Sequence, residues 1–132
     1  MYYESRTQKD AAKLETAATE ILLKLGIPAH IKGYHYLRTA ILMSVYDVGQ
    51  LSAVTKILYP NVAKEHNTTA SRVERAMRHA IGIAWTRADI NDVTKFFGCS
   101  YYSHQSTPTN SEFIALAADK LRLMAKSGRM GM

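Results

Sequence analysis

Apolar residues recur along this chain at helical spacing, and no stretch shows the strict alternation of a half-buried strand. Leu14, Ala17, Ala18, Ile21, Leu22 and Leu25 form the first stripe, which predicts a helix over about 10–25. Gly26 and then Pro28 end it, since glycine accepts the left-handed turn after a helix and proline cannot continue one. A second helix is predicted over about 32–48, with Tyr36, Leu37, Ala40, Ile41, Met43 and Ser44 facing inward or across and Gly49 closing it. Short helices follow over 52–58 and 61–66, the latter behind Pro60, which is acceptable at a helix start. The clearest pattern in the middle of the chain spans 69–85. Another short helix is expected over 90–97, stopped by Gly98. A Ser/Thr/Tyr-rich loop over 99–109 comes next, and Asn110 or Ser111 then caps a last helix to about 126. The expectation is an all-α domain of about six helices around a helix-turn-helix. Residues 1–9 are polar without a period and read as a linker or disordered arm. Residues 10–126 make the domain, and 127–132 a flexible tail. A domain that starts behind such an arm suits one piece of a longer protein.

The helix-turn-helix reading rests on 62–75, where a short helix of small and apolar residues meets a polar turn and then a second helix. Asn67 stands where such a turn needs a left-handed backbone, which Asn tolerates better than most residues. Thr69 or Ser71 can cap the second helix, and Ser71 and Glu74 have capping-box spacing. Winding that helix at about 100° per residue puts Val73, Ala76, Met77, Ala80 and Ala84 on a core face. Ser71, Arg72, Arg75, Arg78 and His79 fall opposite, with Gly82 among them and Glu74 on the flank. Alanines on the inner side permit close approach to a partner helix. Guanidinium forks on the outer side have the geometry for guanine edges and phosphates.

Charge strengthens this picture. The chain carries a net +6, and residues 64–87 hold five Lys/Arg against two Glu. Excess positive charge on one helical element points to a polyanion. A solvated helix face is the plainer alternative, but such faces usually alternate signs and this one is mostly positive. The candidate DNA-contacting residues are Lys64, Asn67, Thr68, Thr69, Ser71, Arg72, Glu74, Arg75, Arg78 and His79.

Other chemistry finds little support. The hydrophobic content of 47% suits a folded domain. No apolar run approaches the roughly 20 residues of a membrane span, and the first residues do not resemble a secretory signal. The single cysteine, Cys99, cannot pair internally, so a reducing cytoplasm is the natural compartment. His30 and His35 do not share a helix face, and no cysteine or carboxylate pair stands at ligand spacing, so no metal is expected. No phosphate-binding glycine loop or nucleophile triad appears, so neither a cofactor nor an enzyme activity is expected. The tyrosines at 34, 36, 46 and 59 are spaced through helices and are expected to pack in the core.

Several long strings are similar to a known family. They are 26–34, 36–38, 58–60, Asn67-Thr68-Thr69-Ala70-Ser71-Arg72-Val73-Glu74-Arg75-Ala76, 78–81 and Pro108-Thr109-Asn110-Ser111-Glu112-Phe113-Ile114-Ala115. Together they resemble the effector domains of the sporulation master response regulator, stage 0 sporulation protein A, over about 14–126. The resemblance implies a cytoplasmic two-component transcription factor of spore-forming bacteria, whose receiver domain is absent from this sequence. It implies binding to TGTCGAA-like boxes in duplex DNA, head-to-tail pairing on tandem boxes, and both activation and repression. On it, Arg72, Glu74, Arg75 and Arg78 match recognition-helix positions that touch bases or nearby phosphates. It also implies a surface for an RNA polymerase sigma factor over 88–101, carrying Ala88, Asp92, Thr94 and Phe97. The competing function class is a protein-interaction module whose basic helix face meets an acidic partner.

Overall fold

The computed structural model describes residues 8–87, 95 and 107–127. Five α-helices are described: α1 (Gln8–Lys24), α2 (Lys32–Tyr46), α3 (Tyr59–Glu65), α4 (Ala70–Arg87) and α5 (Asn110–Lys126). No strand occurs among the described residues, so the chain is all-α, close to the expected six helices. Apart from Lys95, the expected helix over 90–97 lies outside the described residues, as do the loop up to 106, residues 1–7 of the expected arm and residues 128–132 of the expected tail.

The first stripe forms as the pattern requires, with Leu14, Ala17, Ala18, Ile21 and Leu22 buried on α1. The helix begins at Gln8, ahead of the expected Asp10. Behind it, Gly26 has φ +87° and opens a Schellman turn, in which the Ile27 N–H donates to the Leu22 carbonyl at 3.0 Å. Ile27, at 1% exposure, then plugs the core. α2 packs against α1, α4 and α5, and is accordingly buried on more than one side, through Gly33, Tyr34, Tyr36, Leu37, Ala40, Ile41, Ser44 and Val45.

The stretch expected as a single short helix over 52–58 is built differently. A 3-10 turn over Val48–Ala53 runs into a π turn over Val54–Leu58, where the Tyr59 N–H reaches back to the Val54 carbonyl. The wider turn brings Leu58 and Tyr59 into the core while Val48 and Ile57 stay exposed. Side-chain periodicity at 3.6 residues has no purchase on such a segment, because both its turns depart from that period. Pro60 does stand in the first turn of α3, as expected. The start of α5 also differs from expectation. Thr109, not Asn110 or Ser111, is the cap: its Oγ1 accepts from the Glu112 N–H at 3.1 Å and its own N–H donates to Glu112 Oε1 at 2.9 Å. Asn110 is thereby inside the helix, with its side chain free to turn into the protein.

The core gathers Leu14, Leu22, Leu37, Ile41, Met77, Ile81, Phe113, Ile114 and Leu121, all fully buried. Trp85 meets Phe113 edge to face, with ring centroids 6.0 Å apart. Tyr34, Tyr36 and Tyr59 are buried as expected, and Tyr46 is half-buried.

Two local constraints set the orientation of α4. The first is its crossing with α2. A methyl group on Gly33 would overlap the Ala76 carbonyl oxygen and stand 2.8 Å from the Ala80 Cβ. The backbones meet there with only small residues between them. The second is the turn before α4. Asn67 has φ +55°, the Thr68 N–H donates to the Ala63 carbonyl at 2.9 Å, and the Asn67 N–H to the Lys64 carbonyl at 3.3 Å. This is again a Schellman turn, with Asn67 in the position where glycine usually stands.

Gly33→Ala is expected to destabilise the domain by about 3 kcal/mol or more, since a backbone carbonyl cannot give way as a flexible side chain does. Gly82, by contrast, has open space around it on the outer side of α4. Gly82→Ala should therefore stabilise by about 0.5–1 kcal/mol through helix propensity. Thermal melts of the two variants test both signs together. At the turn, Asn67→Gly should be close to neutral, whereas Asn67→Val should cost about 1–2 kcal/mol for a branched residue held left-handed. Urea midpoints measure that pair.

Candidate nucleic-acid interface

The helix-turn-helix consists of α3, the turn over 66–69, and α4. Thr69 caps α4, its Oγ1 accepting from the Arg72 N–H at 3.3 Å, while its carbonyl accepts from the Val73 N–H at 3.0 Å. Of the two expected capping residues, Thr69 therefore fills the role and Ser71 is released to the outer face. The inner face of α4 buries Val73, Met77, Ala80, Ile81 and Ala84. Ala76 is half-buried, because its flank is where Gly33 passes. Ile81 is a core residue that the sequence reading left out.

On the other side, Ser71, Arg72, Arg75, Arg78 and His79 are all exposed, and so are Lys64, Asn67 and Thr69 at the approach to the helix. Thr68 and Glu74 are half-buried. The ten candidate residues thus lie on the end of α3, the turn, and the outer face and flank of α4. The sigma-contact candidates Ala88, Asp92, Thr94 and Phe97 lie outside the described residues.

Charge on this face is not uniform. Arg78 Nη1 sits 2.9 Å from Glu74 Oε2, one turn along the helix. With the Arg78 side chain 65% exposed, this pair contributes little to stability, on the order of 0.3–0.5 kcal/mol. It nonetheless pre-orients both side chains along the flank of α4. Arg72 and Arg75 extend from the first and second turns, and among the described residues no acidic side chain forms an ion pair with either.

Behind the face, two polar contacts brace the motif from other elements. At the turn, Thr39 Oγ1 and His66 Nε2 share a hydrogen bond of 2.7 Å, and the Tyr36 ring meets the His66 ring edge-on at 5.0 Å. Both braces come from α2. At the flank, Asn110 Nδ2 donates to the Tyr59 hydroxyl oxygen and to the Glu74 carbonyl, each at 3.1 Å. Burial pushes the Tyr59 phenol above its usual pKa, and the nearby Glu74 charge adds to this against the opposing effects of the Asn110 bond and Arg78. Tyr59 is therefore a neutral phenol at any physiological pH. Neither Asn110 nor His66 was singled out as a support by periodicity, since their partners lie far along the chain.

Among the described residues, no group of His, Cys, Asp or Glu is arranged to hold a metal ion. No described helix is long and apolar enough to cross a membrane. A shallow groove runs along the Glu74 flank, walled by Tyr59, Arg78 and residues 107–111.

Comparison with known protein families gives a match over residues 18–121 to the family described as Sporulation initiation factor Spo0A C terminal. The match spans α1 from Ala18, all of α2, α3 and α4, and α5 as far as Leu121. It includes the whole helix-turn-helix and every candidate residue upon it. The chain belongs to the Spo0A C-terminal family, and is a sporulation-related DNA-binding effector domain.

Proposed function

We propose that α4 enters the major groove of duplex DNA and reads a TGTCGAA-like box, and that the domain activates or represses transcription according to where that box lies. The single observation that carries this reading is the outer face of α4. Ser71, Arg72, Arg75, Arg78 and His79 are exposed together on the side opposite a wholly apolar inner face. In helix-turn-helix proteins the N-terminal part of the second helix lies deepest in the groove. Arg75, in the second turn at the centre of the face, has the fork to donate to guanine O6 and N7, and Glu74 beside it can accept from a cytosine amino group. Arg72, Arg78, His79 and Lys64 flank these positions, suited to neighbouring bases or phosphates, and Asn67, Thr68, Thr69 and Ser71 to the strand passing the turn. The polymerase sigma factor is the proposed protein partner, through Ala88, Asp92, Thr94 and Phe97. Tandem boxes would align two copies head to tail on one duplex. In the cytoplasm of the cell the receiver domain of the longer protein would govern access to these sites.

Anisotropy titrations against a TGTCGAA duplex and a scrambled duplex, repeated across salt concentrations, test the reading. Preference for the box with a steep loss of affinity at rising salt supports it. Equal affinity for both duplexes supports instead a basic surface for an acidic protein. Arg75→Ala should remove most of the preference, about 1–3 kcal/mol, with the melting temperature nearly unchanged because Arg75 is exposed. Arg75→Lys should fail substantially as well, since it keeps the charge and loses the fork. A lysine variant that binds the box like the parent would make position 75 a phosphate anchor.

A further inference from the structure

We infer that Asn110, the first residue of α5, is a positioning residue for DNA readout, holding the rotation of α4 through its hydrogen bond to the Glu74 carbonyl. The inference rests on the reading of α4 as the recognition helix. Only Ser44 and Asn110 are buried polar residues among those described, and Asn110 is 7% exposed. Its amide spends both protons on the helix-turn-helix, one on the hydroxyl oxygen of Tyr59 at the start of α3 and one on the Glu74 carbonyl in α4. The orientation of the amide follows from chemistry, because a carbonyl can only face the NH2 end. The Glu74 carbonyl has a lone pair to spare beyond its place in the helix.

What makes this contact special is its direction. Around the turns that carry Glu74 and Arg75, the other buried contacts of α4 come from Val73, Met77, Ala80, Ile81 and Ala84, and apolar burial is non-directional; the edge-to-face contact of Trp85 with Phe113 lies about three turns further along. Three of those five are small or flexible, so they resist separation of the helices far more than rotation about the axis of α4. The Gly33 crossing sets how closely α4 approaches α2, and His66 fixes the turn ahead of it. Asn110 is the buried side chain that bonds to the backbone of α4 itself, at the residue next to Arg75. A hydrogen bond weakens steeply as its angle opens, so it resists the rotation that packing permits. Rotation there would swing the Arg75 fork and the Glu74 carboxylate out of line with base edges while leaving positive charge near the phosphates. Loss of Asn110 should thus cost selectivity and spare non-specific affinity.

The test uses Asn110→Leu, which keeps the branching at Cγ and adds no charge, with Asn110→Ala as a second variant and Tyr59→Phe as the control. Each is titrated against the TGTCGAA and scrambled duplexes at one salt concentration, with thermal melts alongside. The expected result is about a tenfold loss of preference for the box in both Asn110 variants, the size of one well-placed hydrogen bond. Binding to the scrambled duplex should stay within about twofold of the parent. Tyr59→Phe, which leaves the Glu74 contact in place, should keep the preference. Loss of the amide leaves the buried Tyr59 hydroxyl short of a partner, so both Asn110 variants should melt below the parent, and titrations run well below their melting temperatures separate lost selectivity from unfolding. Parent-like preference in a folded Asn110 variant, or equal weakening on both duplexes, overturns the inference. A parent with no preference for the box overturns the recognition-helix reading instead, which the control arm shows separately.

Discussion

Between Gly33 on α2 and the Ala76 backbone on α4 there is no room for a methyl group, and the arrangement of the proposed DNA-binding face follows from that contact. Two helices can approach this closely only where one offers a bare backbone and the other a small side chain. The approach carries Val73, Met77, Ala80 and Ala84 into the space beside Leu37 and Ile41, where all are fully buried. Once those positions are committed to the inside, helical geometry leaves Ser71, Arg75 and Arg78 no direction but outward. α2 is thus more than a core element. It supplies the crossing, and through Thr39 and Tyr36 it also holds His66 at the turn. The start and the inner face of α4 are both referred to the same rigid helix, which sets where the proposed recognition helix starts and how closely it packs.

Much of this could be read in the sequence, and the limits have physical causes. The stripes of α1, α2, α4 and α5 are regular α-helical patterns, and each forms a helix within a few residues of its expected ends. The left-handed Asn67 and the helix-ending Gly26 were legible because few residues tolerate those backbone angles. The outer face of α4 was legible because its inner alanines and outer arginines separate cleanly on a helical wheel. The segment over 48–58 was not, since 3-10 and π turns leave no 3.6-residue signature. Asn110 was misread as a cap for a different reason. Local rules favour Asn at a helix start, but its partners lie 36 and 51 residues away, and no local rule reports on such contacts. The family resemblance strengthened the reading of Arg72, Glu74, Arg75 and Arg78, yet it too is silent on what steadies them from behind.

On the proposed reading, the placement of Glu74 links these supports to discrimination between bases. Net positive charge attracts any duplex, and a face of arginines alone would hold all sequences with similar strength. Glu74 changes that balance. Its carboxylate is half-buried, paired with Arg78 at 2.9 Å, and its carbonyl is tied down by Asn110. A phosphate that draws Arg78 away leaves that carboxylate unpaired beside a polyanion, which is unfavourable. The exposed ion pair itself is weak, about 0.3–0.5 kcal/mol, so breaking it is not the obstacle. The obstacle is the fate of Glu74 afterwards, and on the proposed reading a cytosine amino group facing it removes the penalty by donating a hydrogen bond. Guanine and thymine present only acceptors in the major groove, so on that reading the acid would penalise those bases more than it rewards the correct one. That mechanism needs the backbone beneath Glu74 to stay in place, and the Asn110 bond to the Glu74 carbonyl is what holds it.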